Sequence, residues 1–297
     1  MQLLKLTLIK AVIHLLLFLL FVPISLAAQS PVVAYLWQGA SMIHLLTPSL
    51  ADSNHLEKLA PKLEVVDGQH VLLLTLDGNL FDLEQREYLP AKKPLHVTSF
   101  AYSNGLLVVI RDDRLGWYSD GEIKERFVLP LKGMKVVAGK GQRLYLYGPR
   151  GKGSVIYLLE NNKVFPLTDI PEGKISAFTV IGERIFFAID NTIYTVAKGE
   201  HAGLVFIVAG EKRVHSLAVD TIAGMLYFST GEAVYIMRAG VALTILKGLK
   251  GILRYSRNAL FVLDPGRRRL VKINGLERLI MGEGRSTKSI TPDLFKE

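Results

Sequence analysis

Residue types able to do acid–base, nucleophilic or metal chemistry are few in this chain and badly spaced for it. The seven histidines, His14, His44, His55, His70, His96, His201 and His215, stand apart, none at the spacing of a ligand pair. Cysteine is absent, which excludes thiolate nucleophiles, thiolate-ligated metals and disulfides. No GxSxG elbow, HExxH helix or Walker loop occurs. The run GPRGKGS from Gly148 to Ser154 has the glycines and lysine of a phosphate loop but not its GxxxxGK[ST] spacing. It also opens a string of β-formers instead of the helix whose N-terminus would hold the phosphate, and so reads as a long turn. Asp77, Asp190 and Asp264 sit beside turn residues, where aspartate commonly bonds its own backbone. These patterns assign no catalytic residue, no metal ligand and no cofactor.

The residues that remain must be positioned by β-strands. Past the N-terminus, short runs of Val, Leu, Ile, Phe and Tyr are punctuated by Gly, Asp, Asn and Pro, and helical periodicity is almost absent. The clearest unit, from Lys174 to Lys212, divides at Gly182, Asp190 with Asn191, and Gly199 into four runs, A to D. The same order recurs from Val214 to Gly248 and from Ile252 to Gly282, with weaker copies starting at Leu63, His96 and Met134. The B runs begin near Val71, Leu106, Arg143, Arg184, Met225 and Ala259. Four strands in a repeat of about 40 residues mark a β-propeller.

The expected fold class is therefore all-β, a seven-bladed propeller of four-stranded blades. The seventh blade is counted from the chain ends. Val32 to Leu46 matches a B and a C run with no A run before it, and STKSIT, from Ser286 to Thr291, resembles an A run. This C-terminal strand is expected to complete the first blade and close the ring, removing open sheet edges. The alternative is six blades with the N-terminal hairpin as an added flap.

Two copies carry a family resemblance. VHSLAVDTIAGMLYFSTGEAVYIM, from Val214, and ALFVLDPGRRRLVKI, from Ala259, are similar to units of NHL-repeat and YWTD-type propellers. The likeness is clearest over residues 214–273, with Tyr227, Phe228, Ser229 and Thr230 where the YWTD signature would stand. It implies a binding platform, with lactonase-like and hydrolase relatives as the rival class, and it transfers no residue role.

The N-terminus has the layout of a secretory signal. Lys5 and Lys10 precede an uncharged run from Ala11 to Val22, and Ser25 and Ala27 put small residues at the cleavage positions. Residues 1–27 are expected to be removed, with Ala28 the alternative cleavage point, leaving 28–297 as one propeller domain with no integral span. An uncleaved anchor from Ala11 to Ala28 stays open. A disulfide-free fold held by its core, with 49% hydrophobic residues, fits the periplasm first and secretion second.

Inner strands border a propeller's channel, so the A runs supply its lining. Their polar positions are Glu64, Thr98 or Ser99, Lys135, Ser176, His215 or Ser216, Arg254, and Lys288 or Ser289. One carboxylate among several bases is a poor cage for a divalent cation, which weighs against a metal-dependent hydrolase. His96 and His215, near the starts of A runs, are expected to be solvated or hydrogen-bonded. The formal net charge is +9, and the D-to-A loops, with Lys62 among their bases, gather most of the excess. The sequence thus predicts a basic face made by Lys92, Lys93, Lys132, Lys135, Lys174, Lys212, Arg213, Lys247, Lys250, Arg254 and Arg285. Nucleic acid is disfavoured by export and by the lack of aromatics between these bases. The function expected is an exported, non-catalytic interaction module or scaffold that binds a protein or anionic envelope component. The alternative is a lactonase-like enzyme with its site at the channel.

Overall fold

Alternating apolar runs and left-handed turns dictate hairpins, and in the computed structural model they fold into six blades of four strands. The structure describes residues 58–276 except 67–69, 140, 142, 168–169, 221, 239, 249–250, 268 and 275, with the backbones of two short strands, β1 (Val33–Ala34) and β2 (Ile43–Leu45). The chain divides after Val33, and the described blades belong to the second unit. The first blade is β3 (Leu59–Val66), β4 (His70–Thr75), β5 (Leu80–Asp82) and β6 (Glu87–Tyr88). The second is β7 (Val97–Ser103), β8 (Leu106–Arg111), β9 (Arg114–Ser119) and β10 (Glu122–Val128). The third is β11 (Lys135–Ala138), β12 (Leu144–Arg150), β13 (Gly153–Glu160) and β14 (Lys163–Leu167). The fourth is β15 (Ile175–Ile181), β16 (Arg184–Ile189), β17 (Thr192–Val196) and β18 (Gly203–Ile207). The fifth comprises β19 (Ser216–Asp220), β20 (Met225–Ser229), β21 (Ala233–Arg238) and β22 (Val241–Lys247). The sixth has β23 (Ile252–Ser256), β24 (Ala259–Asp264) and β25 (Arg269–Asn274), with β2 as its outermost strand, Ile43 opposite Ile273 and Leu45 opposite Val271.

Sequence and position agree along each blade. Second strands are packed on both faces by the neighbouring blades, so they read as unbroken apolar runs, and every residue of β20 and of β24 is buried. Outer strands meet water, and β10, EIKERFV, is mostly exposed. Two-residue hairpins close at Asp112–Asp113, Asn161–Asn162 and Arg257–Asn258, where both central residues have positive φ. Asn and Asp tolerate that geometry, which matches the strands' twist.

The seven-blade expectation is corrected to six, the count that the alternative gave. The inner strands β3, β7, β11, β15, β19 and β23 neighbour one another in a closed circle, β23 returning to β3. That closing seam is filled by Leu63, Leu73 and Phe81 of the first blade with Phe261, Leu263 and Leu270 of the sixth. A seventh blade would have to part this contact and expose its apolar surface. Closure is also made at the opposite edge from the one expected. An N-terminal strand, β2, finishes the last blade from outside, in the place assigned to the run ending at Gly282, whereas a C-terminal strand was expected to finish the first blade from inside. Residues 277–297, including Ser286 to Thr291, lie outside the described residues, as does the signal layout of residues 1–27.

Serines fasten successive inner strands. Ser99 Oγ accepts from Val136 N at 3.1 Å, and Ser216 Oγ accepts from Leu253 N at 2.9 Å, both buried. Each bond ties the inner strand of one blade to that of the next, and so fixes where the channel's side chains point.

Candidate functional site

At the end of the channel where the D-to-A loops enter the inner strands lies a cavity of about 420 Å³. Its polar wall comes from Lys62 and Glu64 of β3, Lys135 of β11, Ser176 of β15, Arg254 of β23 and His215 just before β19. Its apolar wall includes Val137, Tyr147, Phe178, Leu217 and Leu253. The channel is therefore amphipathic at this mouth.

Local backbone irregularities place several of these groups. In β3 the register moves from Leu59 opposite Thr75 to Leu63 opposite Leu73, so the strand bulges around Pro61 and Lys62. Proline has no N–H to lose from a ladder, and a bulge re-aims the side chains beside it. A bulge also falls at Ser176, between Ile175 opposite Ile189 and Ala177 opposite Ala188, and Ser176 Oγ donates to Ala188 O at 3.2 Å. Tyr147 stacks on Phe178, with centroids 4.5 Å apart and planes 3° from parallel.

Charge in the cavity is uneven. Glu64 is 1% exposed, with Lys62 Nζ 3.0 Å from Oε1 and Arg254 Nη2 2.5 Å from Oε2. Both are ion pairs of a carboxylate buried in the wall. The Arg254 contact joins the last blade to the first. Burial pushes the Lys62 ammonium below the usual lysine range; Glu64 pulls it back up and the charge of Arg254 pushes it further down. Lys135, the first residue of β11, opens onto the cavity from an exposed position, though the protein beside it removes part of its hydration. Burial first, then the charge of Lys62, lowers its pKa too. Burial raises the Tyr147 phenol well above its ordinary value. Lys62 lies 5.8 Å from the Phe100 centroid and Lys135 6.0 Å from that of Tyr147. Among the described residues no carboxylate is paired with Lys135. Asp264 reaches the rim, but its Oδ1 accepts from Arg267 N at 3.1 Å and its Oδ2 lies 4.0 Å from Arg267 Nε. Its charge is matched within its own turn.

The residues of the predicted basic face part company here. Lys135 and Arg254 enter the cavity. Lys92 pairs with Glu122 at 3.2 Å, and Lys212 with Glu232 at 2.5 Å. Lys93, Lys132, Lys174, Arg213 and Lys247 are exposed and none lines the cavity. Lys250 and Arg285 lie outside the described residues. His215 reaches the cavity, while His96, exposed and at φ 49°, does not. Among the described residues no group of three or more His, Asp or Glu is set to hold a metal ion. GPRGKGS is shorter as a turn than expected: β12 runs through Arg150, which faces Gly153, leaving Gly151 and Lys152 as a tight two-residue reversal.

Sequence reasoning placed Lys62 in a loop, whereas it stands inside β3 beside the residue it neutralises. Its position two before Glu64, on the same face of an extended run, was the available signal. Nothing local marked Tyr147 or Phe178, because their stacking joins two blades.

No family model matches the chain, and no curated protein gives a significant match. Solved structures do resemble it. The luciferin-regenerating enzyme aligns with TM-score 0.60 and 12% identity over 79% of this chain and 95% of that one. Virginiamycin B lyase from Staphylococcus aureus aligns with TM-score 0.54 and 14% identity over 72% and 79%. YCF48 bound to D1 peptide aligns with TM-score 0.51 and 13% identity over 79% and 82%. Likeness at these identities shows the fold alone, and the named activities differ from one to the next. The chain has a β-propeller fold.

Proposed function

We propose that this chain is an exported, non-catalytic propeller that binds an anionic partner, a protein or another envelope component, at the mouth of its channel. The observation that carries the proposal is the convergence of Lys62, Lys135 and Arg254, from three different blades, on one cavity where Glu64 answers Lys62 and Arg254 together. Inner strands held by buried serine bonds give Lys135 and Arg254 fixed positions before any partner arrives, which lowers the cost of binding. The site thus moves from the broad loop face to the channel mouth, keeping Lys135 and Arg254 and adding Lys62. Export follows from the charge and hydropathy layout of residues 1–27. The likeness of residues 214–273 to NHL-repeat and YWTD-type units belongs to the same reading. There, Tyr227, Phe228, Ser229 and Thr230 are all fully buried and serve the blade.

Affinity capture from cell-envelope extract tests the proposal. Bait carrying Lys135→Gln and Arg254→Gln is expected to lose its partners, and capture by the unaltered chain to weaken with salt. Bait carrying Lys92→Gln and Lys212→Gln is expected to retain them. Equal capture by both baits would remove the site. N-terminal sequencing of the protein recovered from a periplasmic fraction tests export, with a start at Ala28 or Gln29 expected.

A further inference from the structure

We infer that the channel mouth is a receptor for a small organic dianion, a molecule with a doubly charged head, either a phosphate monoester or a pair of carboxylates, on a short apolar body. The inference rests on the anion-binding reading above and narrows it to a charge and a size.

Charge comes first. Lys62, Lys135 and Arg254 bring three positive charges, Glu64 returns one, and Asp264 is matched by Arg267. Among the described residues two positive charges remain without a counter-charge around one cavity, where partial enclosure makes an unmatched charge costlier than in water. A monoanion leaves one cation unanswered, and a trianion brings one charge too many. Glu64 is fixed in the wall at 1% exposure between two cations of adjacent blades, so it serves as part of the receptor. One contact each to Glu64 leaves donors on both partners, since an ammonium has three N–H groups and a guanidinium five. Lys62 and Arg254 can therefore hold Glu64 and still present donors to a ligand, while Lys135 faces the cavity with no carboxylate paired to it among the described residues.

Size and polarity agree. A volume of about 420 Å³ falls within the range of pockets that enclose small molecules and is too small for a folded partner's surface. Beside the cations, Val137, Phe178, Leu217 and Leu253 offer an apolar wall. A bare inorganic ion would leave that wall wet, whereas an organic body would cover it.

The test is titration calorimetry on the full chain with four probes at about pH 8, above the second ionisation of a phosphate monoester. The probes are benzoate as monoanion, succinate and phenyl phosphate as dianions, and citrate as trianion. At least one dianion is expected to bind about tenfold more tightly than benzoate or citrate. Succinate and phenyl phosphate together tell a dicarboxylate head from a phosphate one. Lys135→Gln is expected to abolish the dianion preference in favour of benzoate, and Glu64→Gln to move it up by one charge, toward citrate. Circular dichroism of each variant checks folding; if Glu64→Gln does not fold, Lys135→Gln decides, because Lys135 supports no carboxylate. Benzoate binding as tightly as both dianions, or dianion binding indifferent to Lys135, overturns the inference. If no probe binds while envelope capture still depends on Lys135 and Arg254, the small dianion falls and the anion-binding reading stands. Failure of both experiments removes both.

Discussion

The cations at the channel mouth and those on the surrounding loops are the same residue types in opposite circumstances. Lys92 and Lys212 stand on open ground, each beside a carboxylate of its own, Glu122 and Glu232. Lys62 and Arg254 share one buried carboxylate, and among the described residues none is paired with Lys135. Their protonation moves in opposite directions as a result: Glu232 raises Lys212, while burial lowers Lys62 and Lys135. Basic composition is thus not in itself a site. An exposed pair in high dielectric is nearly self-cancelling, whereas confined charges with too few partners retain a potential that a ligand can answer.

The largest effect that would sharpen or break this comparison falls on Glu64. Glu64→Gln keeps the shape but strands Lys62 and Arg254 without their counter-charge, and breaking such a buried set is expected to cost about 3 kcal/mol. A lower urea midpoint at unchanged slope would show it, and adding phenyl phosphate should restore part of the loss. A change no greater than that of Lys92→Gln would erase the distinction between the two regions. Next in size is Ser216→Ala, which removes the acceptor for Leu253 N on the strand that carries Arg254. A buried N–H left unpaired costs about 2 kcal/mol. Lower thermal stability together with weaker anion binding is expected; loss of stability with binding untouched would mean that the serine bond does not position Arg254.

Much of this architecture was legible. The B runs read from the sequence begin at or within one residue of the observed second strands, because strands packed on both faces must be continuously apolar and hairpin turns must use Asn, Asp or Gly. The assignment of Lys135 and Arg254 to the channel followed from their places in A runs. The blade count was not legible, since a B-like run and a C-like run near the N-terminus look alike whether they begin a blade or complete one. Pairing of Ile43–Leu45 with β25 is a contact between the two ends of the propeller chain, and no local pattern encodes it. Lys62 was misplaced for a related reason. A bulge around proline resembles a loop in sequence but lies inside a strand, and only the ladder partners Leu59 with Thr75 and Leu63 with Leu73 reveal it.

A pH titration sets the two regions against each other more finely. Lys62 and Lys135 have lower pKa values folded than unfolded, so the unfolded chain binds more protons, and their contribution to stability rises as pH climbs toward the ordinary lysine value. Anion binding needs them charged and must fall over the same window. Lys212 has the opposite sign: its raised pKa gives stability that is full below the unfolded value and is lost only as pH passes the folded one. As pH rises toward the ordinary lysine value of about 10, phenyl phosphate affinity is therefore expected to fall while the channel's own contribution to stability grows and the Lys212 pair stays intact. Affinity that holds level across that range would mean that neither channel lysine contacts the ligand.

The smallest effect belongs to the loops. Lys92→Gln and Lys212→Gln each remove one member of an exposed ion pair, and such pairs combine weak attraction in water with the entropy of holding two long side chains. No measurable change in urea midpoint is expected from either. Phenyl phosphate affinity should also be unchanged, because the carboxylate left behind is free to hydrate and the cavity's excess of positive charge is untouched. The salt dependence of envelope capture is the sensitive readout, since it counts the charges a partner engages. If the loop lysines guide the partner, the double variant associates more slowly and its salt slope falls, while its affinity for small anions stays the same. Should the double variant lose small-anion affinity as completely as Lys135→Gln, the channel mouth and the rim would be one electrostatic surface, and the division drawn between them would fail.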